Sequence, residues 1–365
     1  MDLLSRVAGT AIVLVTLGDV FFTVLFPGSG RGPVRRPLGA ALSGGFRAIA
    51  RRFSGRRRTA VLAYSGPTQI LLTVAVWLAL LTVGWALVYF PALGEQIRTA
   101  SGPEDTGFLT ALYFSGFSLA TLGIGDVVAT SGGYRILTVV QAMTGFAVIT
   151  LVITYFLSIY SALPSRNAFA MKLHHRSLRT DDAAVVVAAL VSDSPETVRT
   201  HLEDTADFMR ETTHQTRSYP VLRDFQYVDD YYSLPLVLLS ALDTLALVAS
   251  TLDPDEYAGL PRSSALDEMS LAAQGLLHEL APGPAAGEPS EQTKEQWRLR
   301  QAEAAEVLRG RGVEARQHSD AAEEYVRLRA TWDAHLAALA EKTAHEWDER
   351  VSCPPTAPPT LTSAR

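Results

Sequence analysis

One cysteine, Cys353, is present in 365 residues, which excludes an internal disulfide and any cysteine-based zinc site. Lysine is nearly missing: Lys172, Lys294 and Lys342 are the only three, so arginine carries the positive charge. No glycine-rich nucleotide fingerprint occurs. Gly123-Ile124-Gly125 lacks a third glycine and a strand–helix context. Asp229-Asp230 and His174-His175 are isolated pairs without further ligands at fitting spacing, so they read as solvated surface rather than a metal site. No enzyme and no cofactor are expected on these grounds.

What the chain does have is unevenly placed. Its net charge is −6, yet residues 1–163 carry 12 Lys+Arg against 6 Asp+Glu, and residues 164–365 carry 20 against 32. A basic, apolar half precedes an acidic one. Val7 to Phe26 is an apolar run of 20 residues, the length that a bilayer core requires. A cleaved signal peptide is the competing reading. The nearly neutral region before the run and the lack of a small-x-small cleavage site favour a retained first span, residues 1–27. Asp19 lies inside it. An intramembrane carboxylate is a functional candidate, with a protonated packing residue as the alternative.

Residues 28–66 contain nine arginines and no acid, which places this loop on the cytoplasmic side. Leu38, Leu42, Phe46, Ile49 and Phe53 recur three or four apart opposite Arg47, Arg51 and Arg52. That is an amphipathic helix suited to the anionic inner leaflet, with Arg31–Arg58 facing the headgroups. Tethering between two spans excludes nucleic acid as its partner. Thr68–Leu93 is the second span, ending in the interfacial aromatics Trp85, Tyr89 and Phe90. Gly94–Gly107 is a short acidic loop for the outer side. Phe108–Ala120 is too short to span and fits a re-entrant helix. Tyr134–Leu163 is the last span, long enough to project into the cytoplasm.

Between the last two segments lies Thr121-Leu122-Gly123-Ile124-Gly125-Asp126. Glycine at every second position lets the backbone take positive φ and aim successive carbonyls the same way. Four copies around an axis make stacked oxygen rings that replace the water around a potassium ion. The bland reading is a tight glycine turn in a buried hairpin. The full T-x-G-x-G-D between two spans resembles the pore-domain potassium channels in their small bacterial two-helix form, over roughly Pro67 to Leu163. Tyr113-Phe114 stand where that family often has two tryptophans, and Ile124 replaces its filter aromatic. The resemblance implies a filter at Thr121, Leu122, Gly123, Ile124 and Gly125, with Asp126 at the outer mouth and K+ as the permeant ion. It also implies a hinge at Gly145 and a cavity and gate face at Ile149, Ile153 and Leu157. Many relatives hold the filter aspartate with a pore-helix glutamate, where this chain has Phe117. Transporters built on this pore fold carry four pore repeats in one chain, and one is found here.

From residue 164 the reading is helical and soluble: a cytoplasmic helical domain (164–280), a linker (281–290), C-terminal helices (291–351) and a disordered tail (352–365). Thr180 or Asp181 caps a helix through Val191, and Ser194-Pro195-Glu196 opens the next. Ser233–Leu252 is apolar enough to span, but Asp243 at its centre and acidic flanks make it a core helix. Tyr325, Leu328, Trp332, Leu336, Leu339, Thr343 and Trp347 share one helical face.

The expectation is an all-α membrane protein of the inner membrane. An extra first span precedes a pore domain (67–163), with outer helix 68–93, pore helix 108–120, filter 121–126 and inner helix 134–163. The N-terminus is outside and the C-terminal domain cytoplasmic, where an unidentified regulator acts. Closed symmetry around one filter strand per chain demands a homotetramer. Selective potassium conduction is the expected function. A non-selective cation channel and a non-conducting membrane-anchored sensor or scaffold are the rivals.

Overall fold

A computed structural model describes residues 2–26, 32–101, 103–257, 259–282, 288–316 and 319–343. The chain divides into two compact units. The first comprises Met1–Ser54, Tyr64–Ala162 and Ser218–Phe225; the second comprises Gly55–Ala63, Leu163–Arg217 and Gln226–Arg365.

In the first unit α1 (Asp2–Val20) continues into a π-helical turn, Phe21–Leu25, right after Asp19. After α2 (Arg35–Ala50) and α3 (Gly55–Ala63), which belongs to the second unit, comes α4 (Ser65–Tyr89). Lipid gives apolar helices no hydrophobic drive to associate, so close packing must supply it. Small residues do so where α1 meets α4: a Cβ added to Gly9 would fall 2.4 Å from the Gly84 carbonyl oxygen. Ser5 Oγ adds a 2.8 Å bond to the Leu87 carbonyl across the same pair.

The interfacial helix is used differently from the expectation. Leu38, Leu42 and Phe46 of α2 are half-buried and α2 packs on α4, whereas Ile49 and Phe53 stay exposed with Arg47, Arg51 and Arg52. Arg31 lies outside the described residues.

The short apolar helix α5 (Phe108–Leu119) packs on α4. The reading as purely helical misses a two-stranded ribbon: β1 (Ile97–Thr99) pairs antiparallel with β2 (Val127–Ala129), Arg98 opposite Val128. The cause is local, since the chain leaving Asp126 needs backbone partners and the Gly94–Gly107 loop supplies them. The last helix, α6 (Gly132–Arg176), has 45 residues and runs through Pro164 instead of ending before it. At 1.5 Å per residue it is about 68 Å long, well beyond a bilayer core.

The second unit is a helical bundle. Its helices are α7 (Ala183–Asp193), α8 (Pro195–Ser218), α9 (Leu234–Thr251), α10 (Ser264–Leu280), α11 (Glu291–Gly310), α12 (Ser319–Ala330) and α13 (Asp333–Lys342). Asp182, rather than Thr180 or Asp181, caps α7, its Oδ1 accepting from Ala184 N at 2.9 Å. Ser194 and Ser290 cap the helices that follow them by accepting from the N–H three residues on. The single C-terminal face is divided between α12 and α13 by a turn at Thr331-Trp332; Trp347 and the tail 352–365 lie outside the described residues, as do residues 283–287 of the linker 281–290.

Helix α9 has the length and hydropathy of a membrane span, yet 16 of its 18 residues are buried against other helices of the bundle. Its Asp243 is the hub of an ionic network. Arg300 Nη2 reaches Asp243 Oδ2 at 2.9 Å and Asp182 Oδ1 at 2.6 Å. Tyr325 donates to Asp243, and Arg329 donates to Tyr325 at 2.9 Å while its guanidinium lies over Trp297 and Trp332. Burial alone would push the Asp243 carboxyl up, but the two guanidinia overcome it and hold it below the ordinary carboxylate range.

Candidate functional site

The stretch Thr121–Asp126 emerges from α5 with a tight handover: Thr121 N donates to Ser118 O and Leu122 N to Phe117 O at 2.9 Å. Thr121, Gly123 and Gly125 all have positive φ (58°, 58° and 84°), and Leu122 and Ile124 do not. This alternation of hand turns successive peptide planes so that their carbonyls share one side. Glycine adopts it freely; Thr121 does so at a cost of roughly 1–2 kcal/mol. Strain of that kind is kept where surroundings enforce it and function uses it. All six residues are exposed on the single chain.

Asp126 closes the stretch. Its Oδ1 accepts from Val127 N at 2.9 Å, and its Oδ2 accepts from the Tyr113 hydroxyl at 2.9 Å. Phe117 cannot hold this carboxylate, but Tyr113, one helical turn earlier, does. The Asp126 carbonyl also accepts from Ala100 N at 2.7 Å, which anchors the end of this stretch beside β1. Behind α5 the rings of Tyr89, Phe114, Phe117 and Tyr113 meet successively at centroid distances of 5.0, 5.4 and 5.2 Å. Three of these rings belong to α5 and Tyr89 to α4, so the cluster joins the two helices, while Ile124 itself is 53% exposed.

Gly145 has a part that the sequence does not announce. It is buried, and a Cβ there would sit 2.0 Å from the carbonyl oxygen of Leu119, the last residue of α5. It is a close-approach glycine that seats α5 on α6. Beside it Gln141 Nε2 donates to Ser115 O and Oγ, both at 2.9 Å, and Ser115 Oγ donates to Thr82 O at 2.8 Å. The amide thus ties α6 through α5 to α4. Sequence reasoning missed Gln141, though a lone amide in an apolar span is the same kind of signal that drew attention to Asp19.

Beyond Gly145 the faces of α6 separate. Phe146, Ile149, Ile153 and Leu157 are 69%, 43%, 55% and 64% exposed, whereas Val148, Tyr155 and Ile159 are buried. An apolar stripe is therefore left open on a single chain. Thr150 and Thr154 bond to carbonyls of their own helix. They do not meet Asp19.

Asp19 is buried away from the filter strand's contacts. Its Oδ2 accepts from Trp77 Nε1 at 2.7 Å, and its Oδ1 from Val34 N at 2.8 Å and Arg35 N at 3.3 Å. The carboxylate caps the start of α2, where unsatisfied N–H groups and the helix dipole favour a negative group. Among the described residues no group of three His, Cys, Asp or Glu side chains could hold a metal ion.

The exposed stretch of alternating hand lies between the short apolar helix α5 and α6, a helix long and apolar enough to cross a membrane; the chain is an ion-channel-type membrane protein. Residues 73–162 match a family described as ion channel, a class of transport proteins without catalytic chemistry. The chain is also similar to a Bacillus subtilis (strain 168) protein, "Uncharacterized membrane protein YdjJ", at 27% identity over 251 residues, covering 69% of this chain and 71% of that one. That likeness necessarily extends beyond the channel segment. No solved structure matches.

Proposed function

We propose that the chain is a potassium-selective channel. Its filter is Thr121–Gly125 and its outer mouth Asp126. The observation that carries this reading is the alternating φ at 121, 123 and 125, which gives the backbone the carbonyl ladder that a dehydrated potassium ion needs. One exposed strand cannot surround an ion, so the protein works as a homotetramer with the open stripe of α6 facing the axis. Ile153 and Leu157 then form apolar rings that close the path by dewetting. The arginines of residues 28–66 set the N-terminus outside and the bundle inside, with Arg31–Arg58 against anionic lipid of the inner membrane. A cytoplasmic regulator acts through the bundle.

Ile124 favours one second reading, a non-selective monovalent cation channel, because the ring that usually braces the filter is missing. Reversal potentials of the purified protein in planar bilayers with potassium on one side and sodium on the other separate the two. A reversal near the potassium equilibrium potential supports selectivity. A reversal near zero supports the second reading, and no current at all defeats both.

A further inference from the structure

Among the described residues, positive φ outside glycine occurs at Thr121, Leu178, Arg179 and Asp181. The first opens the stretch that ends at Asp126. The other three, at 54°, 65° and 56°, lie close together between the end of α6 at Arg176 and the start of α7 at Ala183. Left-handed backbone brings Cβ too near the following carbonyl oxygen, so each of them raises the energy of the folded chain. A helix that ends in a left-handed turn usually does so on glycine, or on asparagine, for this reason. Burial does not offset the cost at the two bulkier side chains, since Leu178 is 60% exposed and Arg179 is exposed.

The conformation is enforced from both ends. Ser177, fully buried, donates through Oγ to the His174 carbonyl at 2.8 Å and accepts from Asp181 N at 3.0 Å. Arg179 N donates to the same carbonyl at 2.9 Å. His174 Nδ1 lies 2.7 Å from Asp181 Oδ1, and its ring is stacked on Tyr231 at 4.6 Å. On the far side Asp182 is pinned to Arg300 at 2.6 Å, and through it to Asp243. Three strained residues therefore join the last turn of α6 to the buried ionic hub of the bundle.

We propose that residues 177–182 are a sprung joint between α6 and the bundle, with a wound, left-handed setting and a relaxed one reached when α6 shifts against α7. The inference rests on the reading of α6 as the gate helix for its consequence, but not for its mechanism. With an unstrained turn, moving α6 against α7 would build strain; here the movement releases it. A partner of the bundle then needs to supply only the difference between the two settings to move α6.

Spin labels at Met171→Cys on α6 and Ser192→Cys on α7, both exposed positions, read the joint in full-length Cys353→Ser protein in detergent without reference to conduction. Glycine takes left-handed backbone freely and a β-branched residue takes it worst, so two substitutions at Arg179 act in opposite directions. Arg179→Gly should narrow the distance distribution to that of the wound setting. It should also move the unfolding equilibrium about two- to fivefold toward the folded state, against the usual direction for glycine. Arg179→Val should populate a second α6–α7 distance, and Ser177→Ala, which removes a bond that holds the turn wound, should populate the same one. Where Arg179→Val fails to fold, the other two variants decide. A distribution unchanged across the variants overturns the joint, and so does a glycine variant less stable than the parent. Distances that shift as expected in a protein that conducts nothing leave this inference standing and remove the channel reading. Unchanged distances in a protein that conducts potassium do the opposite.

Discussion

Asp19 and Asp243 are both buried carboxylates in the middle of apolar helices, and they are held in opposite ways. Asp19, in α1, is surrounded by neutral dipoles: an indole N–H and two backbone N–H groups at the start of α2. Asp243, in α9, is met by two guanidinia and a phenol. The helices around them differ in the same sense. α1 and α4 approach through Gly9 and Gly84, and α5 rests on Gly145, so in the membrane unit glycines set the closest backbone approaches beside the buried Trp77, Tyr89 and Phe114. The bundle is built on large side chains, with Leu238, Leu242, Leu245 and Trp297 buried in one continuous core. Hydropathy does not separate α9 from a span; the partners of its acid do. Asp19 is met by neutral donors of one side chain and the backbone, whereas Asp243 is met by whole countercharges.

The sharpest way to break this comparison is a methyl group in the membrane unit. Gly145→Ala is expected to abolish conduction, because its Cβ would collide with the Leu119 carbonyl at the root of the filter. Flux measured on assembled protein checks it, and wild-type flux would show that the contact tolerates a Cβ. Next in size is Arg300→Met, which takes from Asp182 and Asp243 the guanidinium they share and leaves Asp243 with Tyr325 and Arg329. Removing one partner of a buried pair costs about 3–5 kcal/mol. Denaturant unfolding followed by tryptophan fluorescence should show that loss, and a change below about 1 kcal/mol would reduce the network to the standing of a surface ion pair.

A third effect belongs to the bundle alone. His201 is buried and accepts from Arg176, with its Nδ1 2.6 Å from Nη1, so it must be neutral; burial first, then Arg176 and Lys172, depress it to about 3. The folded state resists a proton that the unfolded chain takes up near pH 6.5, so stability present above that value is lost as pH falls toward 3. Between pH 7 and 5 the bundle should lose about 2 kcal/mol. Melting temperatures of wild type and His201→Gln at the two pH values test this, and an equal drop in both would contradict it. The smallest effect is at Asp19. Asp19→Asn keeps an acceptor for the α2 N–H groups and should change little, while Asp19→Leu should cost about 1–2 kcal/mol as a lost cap. Equal stability of the two variants would mean that the cap is idle.

Much of the fold was legible because periodicity and charge act locally. The arginine loop, the three spans and the short re-entrant helix are each visible within about 20 residues, and Asp243 exposed α9 as a core helix. The positive φ at Gly123 and Gly125 was legible because glycine permits it, whereas that of Thr121 was not. What remained hidden depends on contacts between distant segments. Tyr113 and Asp126 are 13 residues apart, Gln141 and Ser115 26, and Asp224 and Ser43 181. Nothing in the spacing of Gly145 distinguishes a hinge from a seat for the pore helix; only the position of Leu119 does. The cap of α7 was misplaced by a residue or two because Thr180, Asp181 and Asp182 all carry capping side chains, and backbone geometry decides among them.

The central claim is that an alternating backbone at 121–125 conducts potassium. Purified wild type and Gly123→Ala in liposomes, each loaded in turn with equal potassium or sodium gradients, test it most directly. Gly123 sits at φ 58°, where alanine is disfavoured by roughly 1–2 kcal/mol in every subunit. The account predicts that wild type dissipates the potassium gradient and holds the sodium one, and that Gly123→Ala holds both. Equal dissipation of both gradients by wild type, or an undiminished potassium flux in Gly123→Ala, would contradict it.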